Sequence, residues 1–342
     1  LVIVAADLPH GSSDNGLPKH AIETIHARFP DLEVVLAKDL PAQYKDATII
    51  VVNQQYPTIE EAPKLQLVQV TSAGANRPVS LPIFQDTKIP FCTANGVHTP
   101  QIPEWVLGTF LTSQHNLATY RKQQEQQVWK SLGDRRDSYR QRVGILGYGS
   151  IGRQVARLCK AMGMSVHAYT LHPKPTPESR RDHGYVPHGL GDPDGSIPEK
   201  WFAGDSTEEI HDFLGSDLDW LVLSVPLTEK TRHLISKREF DILAKKKAFV
   251  TNIARGPIIN TDDFIEALET DKLRGAAVDV SDPEPLPKGH PLWTAKNLIL
   301  TPHISGLSTD YMDRAFDILI ENLARFSEGR TLINEISRKD GY

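Results

Sequence analysis

Three polar side chains each follow an apolar run closely, and together they could bind an acid and donate a proton. Arg255 follows "FVTNIA", Glu284 lies just beyond "AAVDVS", and His303 follows "LILTP". An arginine is costly at the end of a buried strand unless an anion meets it, and guanidinium binds a carboxylate through two hydrogen bonds. Imidazole can donate a proton near neutral pH, and a neighbouring carboxylate would orient it and favour its charged form. These residue types suit the reduction of a 2-oxo acid.

Each of these signals also has an ordinary structural explanation. A single arginine after a strand is more often part of a surface ion pair, and a Pro-His pair at a strand end is more often a turn. The run "DPEPLP", which contains Glu284, could be only a rigid turn. Their occurrence together and in this order, downstream of a dinucleotide-type turn, favours the catalytic interpretation.

The dinucleotide-type turn lies in "VGILGYGSIGRQVARLCKAMG". The glycines at 147, 149 and 152 are expected to allow a tight turn, close backbone approach to a pyrophosphate, and close packing of helix on strand. The start of the following helix would offer unpaired N–H groups to the phosphates. A strand, a turn, a helix and a second strand follow in order, so we predict a cofactor site at Gly147, Tyr148, Gly149, Ser150, Ile151 and Gly152.

The cofactor type depends on the residue that ends the next strand, "SVHAYT". NAD enzymes usually carry an acid there, which binds the ribose hydroxyls. This chain has Thr170, with His172, Lys174, Arg180 and Arg181 downstream. An acid would repel a 2′-phosphate, whereas a hydroxyl near basic groups would accept one, so NADP(H) is favoured. If the basic residues face outward, NAD(H) is equally possible.

Short β-branched runs alternate with helical patterns in two series, one before about residue 100 and one after about residue 140. Apolar strands separated by helices indicate parallel sheets covered on both faces. The segment 100–130 reads as a helical linker between the two series, and residues after Ser308 read as a helix that Gly329 ends. Because this last helix could return to the first domain, we predict a discontinuous substrate domain, residues 1–108 plus 306–342, around a dinucleotide-binding domain, residues 109–305.

Residues 173–204 interrupt the alternation, since they are rich in Pro and Gly and have no period. A stretch of this length without regular structure inside a compact domain is usually functional or disordered. Trp201 and Phe202 near its end suggest that it is held in place. The sequence does not define its role.

The composition of the 342 residues is that of an ordinary globular protein with a net charge of −5, which gives no support for a nucleic-acid partner. Two cysteines without metal-like spacing argue against a disulfide framework or a metal site and fit a reducing compartment. No run approaches the length of a membrane span. We therefore expect a cytoplasmic protein without a membrane partner, although the sequence starts without Met and a targeting segment could have preceded it.

The motifs "GYGSIG", "SVPLT", "NIARGPIIN", "VDVSDPEPLP" and "TPHISG" occur in the order found in D-isomer-specific 2-hydroxyacid dehydrogenases. The chain resembles that family over nearly its whole length. The resemblance implies a Rossmann cofactor domain inserted in a flavodoxin-like substrate domain, a homodimer to which the segment with Trp129 could contribute, and catalysis by Arg255, Glu284 and His303. It also implies substrate contacts at Ala73 and Gly74, besides Arg255 and His303, and cofactor contacts at Val225, Pro226, Ile253 and Asp279.

The resemblance implies reduction of a small 2-oxo acid, such as glyoxylate or hydroxypyruvate, to the D-2-hydroxy acid. Thr170 stands where the family usually has an acid. In this respect the chain is similar to glyoxylate/hydroxypyruvate reductases that use NADPH. The segment 173–204 is longer than the family's usual loop, so its relation to the cofactor is open. The alternative is a nucleotide-sensing scaffold of the same fold with little turnover, and a turnover assay would separate the two.

Overall fold

The computed structural model describes residues 2–6, 19–36, 43–339 and 341. These form two compact units. The first comprises the described residues of 1–98, 183–187 and 307–342, and the second comprises 99–182 and 188–306. Each unit is a parallel-sheet α/β fold, which confirms the predicted fold class. In the described part of the chain, no helix is both long and apolar enough to cross a membrane.

The strands form two sheets in which every pairing is parallel. The first sheet has the order β2-β1-β3-β4-β5, with β1 Val2–Ala6, β2 Glu33–Leu36, β3 Ile49–Val52, β4 Leu67–Val70 and β5 Phe91–Cys92. The second has the order β12-β11-β10-β9-β6-β7-β8, with β6 Arg142–Leu146, β7 Ser165–Thr170, β8 Lys200–Ala203, β9 Trp220–Leu223, β10 Phe249–Asn252, β11 Gly275–Val278 and β12 Leu298–Leu300. The first order is that of flavodoxin and the second that of a dinucleotide-binding sheet with one further strand.

Helices connect these strands. They are α1 Lys19–Arg28, α2 Pro82–Gln85, α3 Gln101–Gln114, α4 Leu117–Glu125, α5 Ser150–Ala161, α6 Pro177–Arg180, α7 Thr207–Leu214, α8 Lys237–Ala244, α9 Thr261–Glu269 and α10 Tyr311–Ser327, with 3-10 turns at Pro78–Ser80, Gly256–Ile258 and Pro291–Thr294. Helix α10 ends as the sequence predicted, because Gly329 follows it with a φ of +65°.

The last helix, α10, completes the core of the first unit. Its apolar side chains Phe316 and Leu319 pack in one cluster with residues of β1, β3 and β4. Buried Asn322 donates to the side chain of Gln69 on β4 at 3.0 Å and accepts from the backbone N–H of Ile333 at 2.9 Å. These hydrogen bonds fix both α10 and the segment after it, so the chain returns to the first unit after it has formed the second.

The units divide close to the boundaries expected from sequence, but at other residues. The sequence placed the boundaries at 108/109 and 305/306, whereas the compact units divide at 98/99 and 306/307. The reason is α3, whose Val106 and Phe110 are buried in the core of the second unit. Phe110 stacks on Trp220 of β9 at 3.9 Å between ring centroids. The apolar face of α3 therefore packs on the second sheet.

The segment 100–130, predicted as one helical linker, is two helices followed by irregular chain. Asn116 separates α3 from α4 with a φ of +52°, a left-handed conformation that a helix does not continue through. No side chain of α4 is buried, and Trp129 beyond it is fully exposed. The side chains of α4 and Trp129 therefore add nothing to the buried core of the second unit.

The segment 173–204 is the connection from β7 to β8, where the fold places a crossover. It contains the short helix α6 and ends in β8, a strand that the sequence analysis missed because its Pro- and Gly-rich surroundings hid the short run "KWFA". Trp201 of β8 lies edge-on to Tyr148 at 5.0 Å and beneath the guanidinium of Arg180. Residues 183–187 of this segment belong to the first unit.

Candidate active site

The turn after β6 has the shape that a dinucleotide phosphate requires. Gly147 has a φ of +98°, and a Cβ there would lie 2.7 Å from the carbonyl oxygen of Ser224, at the end of β9. A Cβ at Gly152 would lie 2.4 Å from the carbonyl oxygen of Gly147, so that glycine lets helix α5 pack on the turn. Gly149, by contrast, faces open space at the N-terminus of α5. An anion can approach the backbone N–H groups there.

Tyr148 lies in this turn, but its side chain points into the protein. It is 4% exposed and donates a hydrogen bond to Asp192 Oδ2 at 2.8 Å. Burial, followed by the nearby Asp192 carboxylate, raises the pKa of the Tyr148 hydroxyl above its usual range. Only the backbone of Tyr148 is therefore available to a cofactor, and the side chain ties the turn to the 173–204 segment.

The base of that segment is fixed by Asp192 and Arg153. Asp192 Oδ1 and Oδ2 accept from the backbone N–H groups of Ser196 and Ile197 at 3.0 and 3.2 Å. Arg153 of α5, 4% exposed, donates to the carbonyl oxygens of Asp192 and Arg180 at 2.5 and 2.7 Å. Sequence reasoning missed Asp192 because nothing near it in the chain marks it as a buried partner of the glycine-rich turn.

Strand β7 ends in Thr170, as the sequence indicates. The basic residues Arg180 and Arg181 downstream of it are bonded to other groups of the protein. Thr170 is half-buried, and its hydroxyl donates to the carbonyl oxygen of His172 at 2.8 Å. Arg180 donates to the carbonyl oxygen of Lys174 at 2.9 Å, and Arg181 pairs with Glu178 at 3.4 Å. Both guanidinium groups therefore have partners within the 173–204 segment.

The remaining predicted cofactor contacts lie on turns beside the glycine-rich one. Val225 is half-buried against the core, and Pro226 is exposed just after β9. Ile253, 7% exposed, follows β10. The strands β6, β9 and β10 are adjacent in the sheet, so these residues share one edge of it.

Arg255 is held by the turn that follows β10. Buried Asn252 accepts from the backbone N–H of Ala254 at 3.0 Å and donates to the carbonyl oxygen of Arg255 at 3.0 Å. A Cβ at Gly256 would lie 2.0 Å from the carbonyl oxygen of Ser281, so glycine lets this turn contact the one after β11. The guanidinium of Arg255 donates to the carbonyl oxygen of Ala254 at 2.6 Å.

Arg255 has no acidic partner among the described residues, because no carboxylate of theirs lies within 4 Å of its guanidinium. The side chain is half-buried. A half-buried guanidinium without a carboxylate is suited to bind an anion from outside the protein. Asn252, which shapes this turn, was missed by sequence reasoning because an Asn at a strand end does not reveal where its amide points.

His303 and Glu284 form a hydrogen-bonded pair. The distance from His303 Nδ1 to Glu284 Oε1 is 2.7 Å, and the two side chains are 49% and 39% exposed. This leaves Nε2 of the imidazole as the atom that can meet a substrate. A carboxylate bonded to one ring nitrogen fixes the orientation of the imidazole ring and its tautomer.

Asp279 organises the turn that carries His303. The side chain is 1% exposed. Its Oδ1 accepts from the Thr301 hydroxyl at 2.5 Å and from the Ile304 N–H at 2.9 Å. Its Oδ2 accepts from the Ser305 N–H at 2.8 Å. Its backbone carbonyl accepts from the N–H of His303 at 2.8 Å. His303 itself has a φ of +56°, a conformation that costs about 1 to 3 kcal/mol and needs such support.

The predicted substrate loop lies in the first unit. Ala73 and Gly74 are half-buried after β4. The Ser72 hydroxyl donates to the carbonyl oxygen of Gly74 at 3.1 Å, and the Tyr311 hydroxyl of α10 donates to that of Thr71 at 2.6 Å. Arg255, Asp279, Glu284 and His303 all lie in the second unit, on turns after the adjacent strands β10, β11 and β12.

The turn after β6 fits a dinucleotide, because Gly149 leaves open space at a helix N-terminus and Gly147 and Gly152 allow the tight turn beside it. When bound, a nicotinamide dinucleotide supplies or accepts a hydride. Among the described residues, no three His, Cys, Asp or Glu side chains form a group that could hold a metal ion.

Comparison with known proteins identifies a family model and relatives that this chain matches. The family model described as "D-isomer specific 2-hydroxyacid dehydrogenase, NAD binding domain" matches residues 107–190 and 199–305, more than half of the chain. A glyoxylate/hydroxypyruvate reductase A of Photorhabdus laumondii is 31% identical over 245 residues, which are 71% of this chain and 69% of that protein. A hydroxypyruvate reductase of Blautia hydrogenotrophica is 27% identical over 313 residues, 87% and 86% of the two chains.

Solved structures are similar over nearly the full length. A D-isomer specific 2-hydroxyacid dehydrogenase family protein of Aeromonas salmonicida superposes with a TM-score of 0.75 at 27% identity, covering 98% of this chain and 99% of that one. An NADPH-dependent glyoxylate/hydroxypyruvate reductase of Sinorhizobium meliloti, in complex with NADP and sulfate, gives 0.74 at 25% identity, with 100% and 99% covered. With its two parallel sheets and glycine-rich turn, the chain belongs to the D-isomer specific 2-hydroxyacid dehydrogenase family, a family of NAD(P)-binding oxidoreductases.

Proposed function

We propose that this oxidoreductase reduces a small 2-oxo acid of the glyoxylate or hydroxypyruvate type to the D-2-hydroxy acid, with NADP(H) favoured over NAD(H). The observation that carries the proposal is the hydrogen bond of 2.7 Å between His303 and Glu284, in the same unit as the glycine-rich turn. The names of the reductases from Photorhabdus and Sinorhizobium support the substrate class.

The proposed roles follow from the chemistry of each group. Arg255 holds the substrate carboxylate and polarises the 2-oxo group, since its guanidinium donates in a planar fork. The loop with Ala73 and Gly74 is proposed to contribute to substrate binding, as the family resemblance implies. His303 Nε2 would give its proton to the 2-oxo oxygen, which becomes the hydroxyl of the product, while the bound nicotinamide dinucleotide would supply the hydride to C2. Glu284 stabilises the charged imidazole before transfer and holds the ring throughout.

Asp279 supports the proton donor without contacting it through its carboxylate. Both of its side-chain oxygens are used by the turn at residues 301–305. The family resemblance gives Asp279 a contact with the cofactor amide, and the geometry adds a second role, since its hydrogen bonds fix where His303 stands. On the cofactor side, the turn at residues 147–152 binds the pyrophosphate, and Val225, Pro226 and Ile253 line the adenosine and nicotinamide positions.

The experiment for the proposed function is a panel of 2-oxo acids assayed in parallel with NADPH and NADH. We expect turnover of glyoxylate and hydroxypyruvate, and a higher kcat/KM with NADPH. A scaffold of the same fold is the competing function. Tight NADPH binding without turnover of any 2-oxo acid would favour that scaffold and contradict the enzyme.

Replacing the proton donor should affect the chemical step and leave the cofactor bound. We expect His303→Ala to lower kcat about 10²- to 10⁴-fold, the usual contribution of a general acid. The dissociation constant of NADPH, followed by its fluorescence, should change little. His115→Ala is the matched control, because His115 is an exposed histidine at the end of α3. A His303→Ala enzyme with wild-type kcat would rule out the assigned role.

The cofactor preference should depend on the residue at the end of β7. In Thr170→Asp a carboxylate would stand where the proposed 2′-phosphate binds, and like charges repel. We expect the ratio of kcat/KM for NADPH over NADH to fall about tenfold, the effect of roughly 1.4 kcal/mol of lost discrimination. Thr170→Ser, which keeps the hydroxyl, should retain the ratio. An unchanged ratio in Thr170→Asp would show that another residue selects the cofactor.

The chain is proposed to be a homodimer that uses the segment from α4 to residue 139. Leu117, Val128 and Trp129 are 51%, 45% and 103% exposed, and α4 buries none of its side chains. Apolar side chains that cover nothing in their own unit suit an interface. We expect a dimer in sedimentation equilibrium and weaker association for Trp129→Ser, with Trp293→Ser as the control, because Trp293 is an exposed aromatic residue outside this segment. A wild-type monomer at micromolar concentration would refute this assembly.

A further inference from the structure

We propose that Tyr185 is a positioning residue for the substrate. Through the turn at residues 94–97, it holds the loop at residues 72–75 and so sets which side chain this loop admits on the 2-oxo acid. The inference rests on the proposed function, because it concerns the substrate of that reaction. It assigns a role to the 173–204 segment, which neither the motifs nor the catalytic geometry explains.

Tyr185 belongs to the first unit, although the chain on both sides of residues 183–187 belongs to the second. The tyrosine ring is half-buried and packs against a cluster formed by Ala94, Val97, Ala315, Ile318 and Ile333. Ala73 of the predicted substrate loop packs against the same cluster. The tip of the segment, residues 183–187, and the substrate loop therefore pack against the same small apolar cluster.

Gly96 allows the tip to approach this closely. Its φ is +97°, which favours glycine, and a Cβ there would lie 2.0 Å from the carbonyl oxygen of Tyr185 and 3.1 Å from its Cδ1. Any larger residue at this position would push the tip away. The contact between the tip and the turn at residues 94–97 is thus a close fit of backbone on backbone.

The far end of the tyrosine is fixed as well. Its hydroxyl donates to Asp317 Oδ2 on α10 at 3.1 Å. Burial, followed by the charge of Asp317, raises the pKa of the Tyr185 hydroxyl above its usual range, so the hydroxyl stays a donor. Tyr185 therefore bridges α10 and the turn at residues 94–97.

Both of these elements hold the substrate loop. The Ala94 N–H donates to the carbonyl oxygen of Ser72 at 2.9 Å, and the Tyr311 hydroxyl of α10 donates to that of Thr71 at 2.6 Å. The Ser72 hydroxyl closes the loop on Gly74 at 3.1 Å. Tyr185 packs on both α10 and the turn at residues 94–97, so its removal should make the loop less rigid. The loop should then admit larger 2-oxo acids and bind small ones less tightly.

The test compares Tyr185→Ala, Tyr185→Phe and the control His188→Ala, an exposed residue just beyond the tip, in the full chain. KM and kcat are measured for glyoxylate and for 4-methyl-2-oxopentanoate at saturating NADPH. For Tyr185→Ala we expect KM for glyoxylate to rise about tenfold with kcat within about threefold, the pattern of lost substrate binding. The preference for glyoxylate over the branched acid should fall about tenfold. Affinity for NADPH should not change.

Tyr185→Phe keeps the ring and loses only the bond to Asp317, so it should move KM in the same direction by about two- to threefold. This variant decides the question if Tyr185→Ala fails to fold. Wild-type KM and substrate preference in the folded variants, or an equal loss of NADPH affinity, would overturn the positioning role. A wild-type protein that turns over no 2-oxo acid would overturn the proposed function, and this role with it.

Discussion

The carboxylate of Asp279 is the constraint on which the candidate active site depends. It is buried, and it accepts three hydrogen bonds from the turn at residues 301–305. The left-handed backbone conformation of His303 is unfavourable by itself, and these hydrogen bonds offset its cost. A buried carboxylate is tolerated only when it is fully hydrogen-bonded, and the contacts that satisfy Asp279 also fix the backbone turn that carries His303.

The parallel sheet explains why turns that are far apart in the sequence lie side by side. Strands β10, β11 and β12 are adjacent, and their carboxyl ends lie on one edge. The turns after them carry Arg255, Glu284 and His303. Gly256 draws the first of these turns against Ser281 in the second, and Asp279 holds the third. Contacts between neighbouring turns thus add to the support that each strand gives to the turn after it.

The segment 173–204 shows how a long connection with little regular structure can be held in place by side-chain contacts. Its base is bonded to Tyr148 and Arg153 by Asp192, and its tip packs in the first unit through Tyr185. Buried polar groups with complete hydrogen bonding specify one arrangement of an irregular chain. Within the second unit, buried bonds hold the base of the segment beside the glycine-rich turn, and within the first unit its tip packs beside the predicted substrate loop.

The sequence by itself determined the fold class, the glycine-rich turn and the candidate residues Arg255, Glu284 and His303, because strand periodicity and glycine spacing are local signals. It did not reveal β8, the assignment of α3 to the second unit, or the supporting role of Asp192. These depend on which distant residues meet, since a buried partner leaves no mark near itself in the chain. The pairing of His303 with Glu284 could be expected from chemistry, but only the tertiary structure could bring the two within 2.7 Å.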